Sequence, residues 1–247
     1  MARYQVIIAY DGTDFYGFQR QANESRTVQG VVEAALQRIG WQGRSILAAG
    51  RTDTGVHASG QVVSFDLDWA HPTEALQSAL NANLPPDVAV QSVLETRADF
   101  HPRYDAVERC YRYHIFCQPV RDPLRERYAW RVWPDVEIEH LQQAAAYLIG
   151  THDFGAFGTP PRAGGTSIRS VSRATWWQEP DGLVFEIRAD AYLYHMVRRL
   201  VGFQVAIGQG ALLPGSLEEL LESEAKSLVQ MMAPPQGLCL VEVRYRK

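Results

Sequence analysis

The chain has 247 residues, 46% of them apolar, and a formal net charge of −4. That length allows one large domain or two small ones with an ample core, and the charge gives no general basic character of the kind that advertises nucleic-acid binding. Arg198, Arg199 and several glycines break the longest apolar stretch, and no basic segment followed by a long apolar run opens the chain, so a cytoplasmic protein with no membrane segment is expected.

Two details of composition narrow the reading. Lysine occurs only at Lys226 and Lys247, so the other cations are arginines, whose planar fork suits phosphates and bases, although arginine-rich codon usage gives the same bias. The three cysteines, Cys110, Cys117 and Cys239, form no CxxC and are odd in number, which argues for a reducing compartment and against a disulfide framework. Cys110 and Cys117, seven residues apart on one predicted strand, point to opposite faces and make a poor zinc site, so no metal is expected.

In chain order, residues 4–10 read as a strand, followed by a turn at Asp11-Gly12-Thr13-Asp14 and an aromatic, polar segment from Phe15 to Gln21. Thr27 stands where an N-cap belongs, ahead of a helix with Val28, Val31, Val32, Ala35, Leu36 and Ile39 at helical spacing, closed by Gly40. Ile46–Ala49 and Gly60–Leu67 read as two strands. Thr73 is expected to cap a second helix, with Leu76, Ala79, Leu80 and Leu84 inward and Pro85-Pro86 as its stop, and Val88, Val90 and Val93 mark a fourth strand. The order strand, helix, strand, strand, helix, strand is that of a split βαβ, or ferredoxin-like, unit.

The second half repeats the order with longer connections: a strand over 109–117, a helix over 138–149, strands over 168–177 and 183–189, helices over 193–207 and 217–221, and a last strand over 240–245. The expected fold is therefore α+β, with two ferredoxin-like halves, 1–104 and 105–247, forming a mixed, mostly antiparallel sheet with helices on one face and a central active-site cleft.

Gly50-Arg51-Thr52-Asp53-Thr54-Gly55-Val56-His57-Ala58 joins the two middle strands of the first half. Gly50 and Gly55 are expected to take positive φ and present Asp53 at the tip of the loop. The plainer alternative is a turn whose polar residues satisfy their own backbone. Arg121, Arg125, Arg127 and Arg131, and later Arg162, Arg169 and Arg173 around the flexible Gly158–Gly165 segment, interleave with aromatics in a way that suits folded RNA, or else form solvated faces balanced by Glu126, Asp135, Glu137 and Glu139.

Eight ordered segments together resemble the tRNA pseudouridine synthase A family. They are Tyr10–Thr13, Thr27-Val28-Gln29, Ala49–Ala58, Phe100–Tyr104, Tyr111-Arg112-Tyr113, Gly150–Phe154, Tyr192–Arg198 and Gly237–Leu240. The resemblance implies a cofactor-free isomerisation of uridine to pseudouridine at positions 38, 39 and 40 of the tRNA anticodon arm, carried out by a homodimer. It makes Asp53 the catalytic aspartate, Arg51 its partner in handling RNA, Tyr111 the ring that stacks on the target uracil, and Arg198 the cation paired with Asp53. His57 is read as a loop-packing residue, and Asp11 and Asp14 as turn formers. One departure is the sequence Val107-Glu108-Arg109-Cys110 where the family tends to be basic. A non-catalytic RNA-binding protein on the same fold, and a hydrolase releasing free base, remain the competing expectations.

Overall fold

A computed structural model describes residues 1–22, 25–162, 164–223 and 227–246. Ala163, inside the predicted Gly158–Gly165 segment, and the two lysines Lys226 and Lys247 lie outside the described residues. The protein is α+β, and the chain divides into two compact units, residues 1–107 with 240–247 and residues 108–239.

In the first unit β1 (Ala2–Tyr10) buries Tyr4, Val6, Ile8 and Tyr10, the period of two that a half-covered strand demands. It lies antiparallel between β3 (His57–Leu67) and β4 (Val88–Thr96). The short β2 (Leu47–Ala48) pairs with β3 through Leu47↔Ser64 and Ala48↔Val63, which completes the order β4-β1-β3-β2 of a split βαβ unit. β10 (Leu238–Tyr245) shares the same edge of β3. There Gly60 meets Val241 so closely that a Cβ would fall 2.2 Å from its carbonyl oxygen. The valines of β4 break period two between Val90 and Val93 because the pairing with β1 slips there: Ile8 faces Val90, but Ile7 faces Ser92.

The helix α1 (Val28–Arg38) begins as its sequence dictates, with Thr27 extended at φ −125° and its hydroxyl accepting from Gly30 N at 3.3 Å. It buries Val28, Val32, Ala35 and Leu36. The helix α2 (Thr73–Asn83) corrects one expectation. Its N-cap is Pro72, not Thr73, and no side chain caps it, because Thr73 already lies inside the first turn.

In the second unit β5 (Ala106–Cys117), β9 (Gly182–Ala189), β8 (Ile168–Glu179) and β7 (Gly150–Asp153) run antiparallel in that spatial order, and β6 (Trp130–Val132) adds in parallel to β5. The helices α3 (Ile138–Ala146) and α4 (Met196–Gly208) pack together, and α3 also lies on β8. α5 (Ser216–Glu222) is a short later helix. Tyr113, Ile115, Trp176, Phe185 and Ile187 are buried on this sheet. Two predicted helices are shorter than expected. α3 stops at Ala146 because a turn and Gly150, at φ +120°, open β7. α4 starts three residues late because Tyr194 bridges to Thr159 and His195 takes φ +63°, a left-handed conformation that ends any helix running through it.

Thr27 gives this fold a direct check. Thr27→Ala removes the one side-chain cap of α1 and should destabilise the protein by about 1 kcal/mol, read as a lower denaturation midpoint, with Thr27→Ser close to wild type.

Candidate active site

The loop carrying Asp53 is fixed by a neighbouring stretch of chain. Gly12–Phe18 runs beside it, with Phe18 N donating to Thr52 O at 3.0 Å and Gly55 N to Phe15 O at 3.4 Å. The two segments approach so closely that a Cβ on Gly12 would lie 2.1 Å from Val56 O, and one on Gly17 would lie 2.9 Å from Thr52 O and 3.4 Å from Asp53 C. Gly17 also sits at φ +82°. Inside the loop, Val56 N donates to Asp53 O at 3.1 Å and Gly55 takes φ +78°. Gly50, expected to take positive φ, does not. Its carbonyl instead accepts from Gln61 Nε2 at 3.0 Å, so one left-handed residue suffices to turn the loop.

Side chains lock the loop from below. Tyr10 and Thr52 share a buried hydroxyl–hydroxyl hydrogen bond of 2.8 Å. The buried His57 receives a hydrogen bond at Nδ1 from Gly12 N at 3.0 Å, and Asp11 Oδ1 lies 3.2 Å from the same nitrogen. Asp11 forms the expected turn by accepting from Thr13 N at 3.0 Å and Thr13 Oγ1 at 2.6 Å. Asp53 is half-buried and Arg51 exposed.

The start of α1 extends the same support, which gives the Thr-Val-Gln segment its meaning. Val28 N and Gln29 N donate to Gly17 O and Phe18 O at 3.3 and 2.9 Å. The buried Gln29 side chain accepts from Arg20 N and donates to Glu33 Oε1 and to Ser45 Oγ, and Glu33 in turn accepts from Ile46 N at 3.1 Å and pairs with Arg20 at 2.8 Å. Glu33 is 2% exposed. Such a charge is tolerable only because cation, amide and backbone donors surround it. Nothing about Glu33 alone signals this role, since it falls on the apolar side of a helix as one polar residue among Val32, Ala35 and Leu36.

Tyr111 and Arg198 lie in the second unit. Tyr111 is 9% exposed and meets Tyr192 edge to face, ring centroids 4.9 Å apart. The Tyr192 hydroxyl donates to Arg109 O and Ile187 O, and burial pushes its pKa well above the usual phenol value. Two residues along, Tyr113 points to the same face as expected, fully buried, donating to Pro234 O at 2.7 Å. Burial raises the Tyr113 phenol well above its ordinary pKa, opposed by the positive charge of Arg198. Arg198 is half-buried in the first turn of α4, where Nε donates to Ala233 O at 2.8 Å and fixes the plane of the guanidinium. Arg199 Nε donates to Val229 O at 3.1 Å.

The opposite face of β5, β9 and β8 carries charge. Glu186, 3% exposed, accepts from Arg112 Nε at 3.0 Å and Arg188 Nε at 2.9 Å, with Arg173 at 3.5 Å. Burial alone would raise its pKa, but the hydrogen bonds from Arg188 and Arg112 outweigh that and lower it. Next to it burial, with the Glu186 charge, pushes the Cys110 thiol up to about 12. Most of the arginines expected to form a patch are also engaged. Arg121 and Arg131 pair with Glu126, Arg173 joins Glu186, and the buried Arg169 donates to the carbonyls of Thr166 and Ile168. A cleft of about 650 Å³ lined by Arg97, Phe100, Tyr104 and Tyr245 contains none of the predicted site residues.

With this geometry established, comparison with known proteins settles the family. The model of the family described as tRNA pseudouridine synthase matches residues 6–105 and 144–246. The chain belongs to the tRNA pseudouridine synthase family. Curated relatives match over nearly their whole lengths. The tRNA pseudouridine synthase A of Halalkalibacterium halodurans is 40% identical over 96% of this chain and 90% of its own. That of Moorella thermoacetica is 40% identical over 98% of both, and that of an Exiguobacterium species 38% identical over 100% and 99%. The chain is thus placed among isomerases that modify tRNA, and the family match includes both the Asp53 loop and Arg198.

Two outcomes follow from the packing. Gly17→Ala places a methyl group against Thr52 O at a left-handed φ, so catalytic turnover should fall at least tenfold, with tRNA affinity within a few-fold of wild type by filter binding. Glu186→Gln should cost about 1–3 kcal/mol of stability at pH 7. Because the folded-state pKa of Glu186 is lowered, its contribution is complete above the ordinary glutamate pKa and is lost as pH falls through the folded value. The stabilities of wild type and variant should therefore converge as pH falls below the ordinary glutamate range.

Proposed function

We propose that the chain isomerises uridine to pseudouridine at positions 38, 39 and 40 of the anticodon stem-loop of tRNA, as a homodimer and without a cofactor. Asp53 is the catalytic carboxylate, and Arg51, Tyr111 and Arg198 bind the substrate. One observation carries the assignment of Asp53: a half-buried carboxylate stands on a loop whose backbone is bonded to a second segment on both sides, so its position is set before substrate arrives. The family membership supplies the reaction class.

The chemistry breaks the bond from uracil N1 to the ribose, turns the base, and joins C5 to the same sugar carbon. N1 gains a proton and the C5 hydrogen leaves to solvent, with no change of oxidation state. A carboxylate serves this either by attacking the sugar carbon, as in retaining glycosidases, or by acting on the uracil ring. Both routes require an ionised Asp53 and a uridine extruded from the stem. An aromatic ring contributes about 1–3 kcal/mol per stacked base, enough to hold the extruded uracil as it turns.

Release of tritium from C5-labelled uridine in a tRNA transcript tests the assignment. Asp53→Asn should lower release by about three orders of magnitude or more while leaving the Kd for tRNA within a few-fold, and unchanged release would remove Asp53 from the mechanism. Arg198→Lys should keep binding but lose about tenfold or more in rate, because an ammonium cannot supply a forked pair of donors. Transcripts with a single uridine at position 38, 39 or 40 then report which sites are substrates.

A further inference from the structure

None of the segments that carry the family resemblance includes Phe15–Gln21, yet it is the stretch on which the Asp53 loop rests. Phe15 and Phe18 are buried, as their apolar character dictates. Tyr16, between them, is 58% exposed. Its backbone is fixed by Tyr16 N donating to Arg26 O at 2.9 Å and by Gln21 Nε2 donating to Tyr16 O at 2.8 Å. The next residue is Gly17, where an added Cβ would meet the backbone of Thr52, Asp53 and Thr54.

The polar groups around the loop divide in an informative way. Arg20 is committed to Glu33, and Arg26 forms a two-pronged pair with Asp87 at 2.7 and 2.9 Å while lying over the Phe15 ring. Among the described residues, the Tyr16 phenol and the Arg51 guanidinium have no hydrogen-bond or ion-pair partner. An aromatic ring kept in water on a fixed backbone, one residue from Gly17, presents a π face on which a base can stack. An exposed cation two residues from Asp53 completes the pairing of ring and charge with which proteins hold single-stranded nucleotides.

We infer that Tyr16 is a second stacking platform, holding an unpaired or extruded nucleotide next to the target uridine, with Arg51 on the adjoining phosphate. The inference rests on the reading of Asp53 as the catalytic carboxylate. It makes Tyr16 a substrate-positioning residue, and it places one RNA contact in the first unit that depends on the π face of the ring and not on its hydroxyl.

The experiment measures tRNA binding and single-turnover rates for Tyr16→Ala, Tyr16→Leu and Tyr16→Phe. Loss of one stacked base should weaken tRNA binding about tenfold in Tyr16→Ala, with the rate at saturating tRNA little changed. Tyr16→Phe should bind as wild type, and Tyr16→Leu, which keeps apolar bulk without a π face, should behave like Tyr16→Ala. A transcript abasic at the nucleotide flanking the target should bind wild type about tenfold more weakly but should bind Tyr16→Ala no worse than intact transcript does. Equal sensitivity of both proteins to the abasic site, wild-type binding by Tyr16→Ala or Tyr16→Leu, or loss of binding in Tyr16→Phe would each overturn the inference. Thermal denaturation of Tyr16→Leu and Tyr16→Phe guards against misfolding in the alanine variant. The Asp53→Asn protein separates the two readings: if it is inactive while Tyr16→Ala is normal, the platform fails alone, and if it is active, the reading of Asp53 fails first.

Discussion

The close approach of Gly17 and Phe18 to Thr52 is the constraint on which the first unit depends. The carboxylate proposed for catalysis stands on a loop and has to be placed within a fraction of an ångström, which side-chain rotamers alone do poorly. Here the backbone does it. Phe18 N reaches Thr52 O, Gly55 N reaches Phe15 O, and the glycines at 12 and 17 clear the space for both. The far side of the same segment is bonded to the start of α1, and Gln29 and Glu33 on that helix tie it to Ser45 and Ile46 just ahead of β2. The loop is thus held by a ring of contacts that passes through one helix end, two strands and a buried charge.

A second theme is how a chain of net charge −4 handles an anionic polymer. Several of its arginines are engaged by its own carboxylates: Arg3 by Asp66, Arg26 by Asp87, Arg121 and Arg131 by Glu126, and Arg112, Arg173 and Arg188 by Glu186. Many of these cations build the fold, and their pairing suppresses indiscriminate attraction to phosphate. A chain without a general basic character has to rely on cations and rings in particular places, which favours recognition of shape over bulk electrostatics.

Much of the architecture was legible in the sequence. Alternating apolar residues in β1, the Thr27 cap and the spacing of Val28, Val32, Ala35 and Leu36 gave the right elements for local reasons. The departures have causes in particular contacts. A left-handed histidine and a bridge to Thr159 delay α4, a proline usurps the cap expected at Thr73, and a bulge shifts the phase of β4. The candidate site was legible only in part. Asp53, Arg51, Tyr111 and Arg198 stood out through resemblance, and Gln29 lay in a matched segment without a role, whereas Glu33 and Gly17 did not stand out, because their meaning lies in contacts with residues distant in sequence. Periodicity reads one neighbour shell along the chain, and a buried glutamate satisfied by Arg20, Gln29 and Ile46 belongs to a shell that exists only after folding.

The position of β10 bears on how the protein reaches this structure. Residues 240–247 belong to the same compact unit as residues 1–107, and between the two segments the chain traverses the whole of the other unit. Strand β3 therefore keeps part of an edge open until the far end of the chain returns, and the contact of Gly60 with Val241 closes a very long loop. Closure of that kind is entropically costly to initiate and slow. An open edge in the meantime is a site for wrong pairing with another chain. During synthesis the unit that carries Asp53 is begun first and completed last, so its assembly is timed by the segment that follows the second unit.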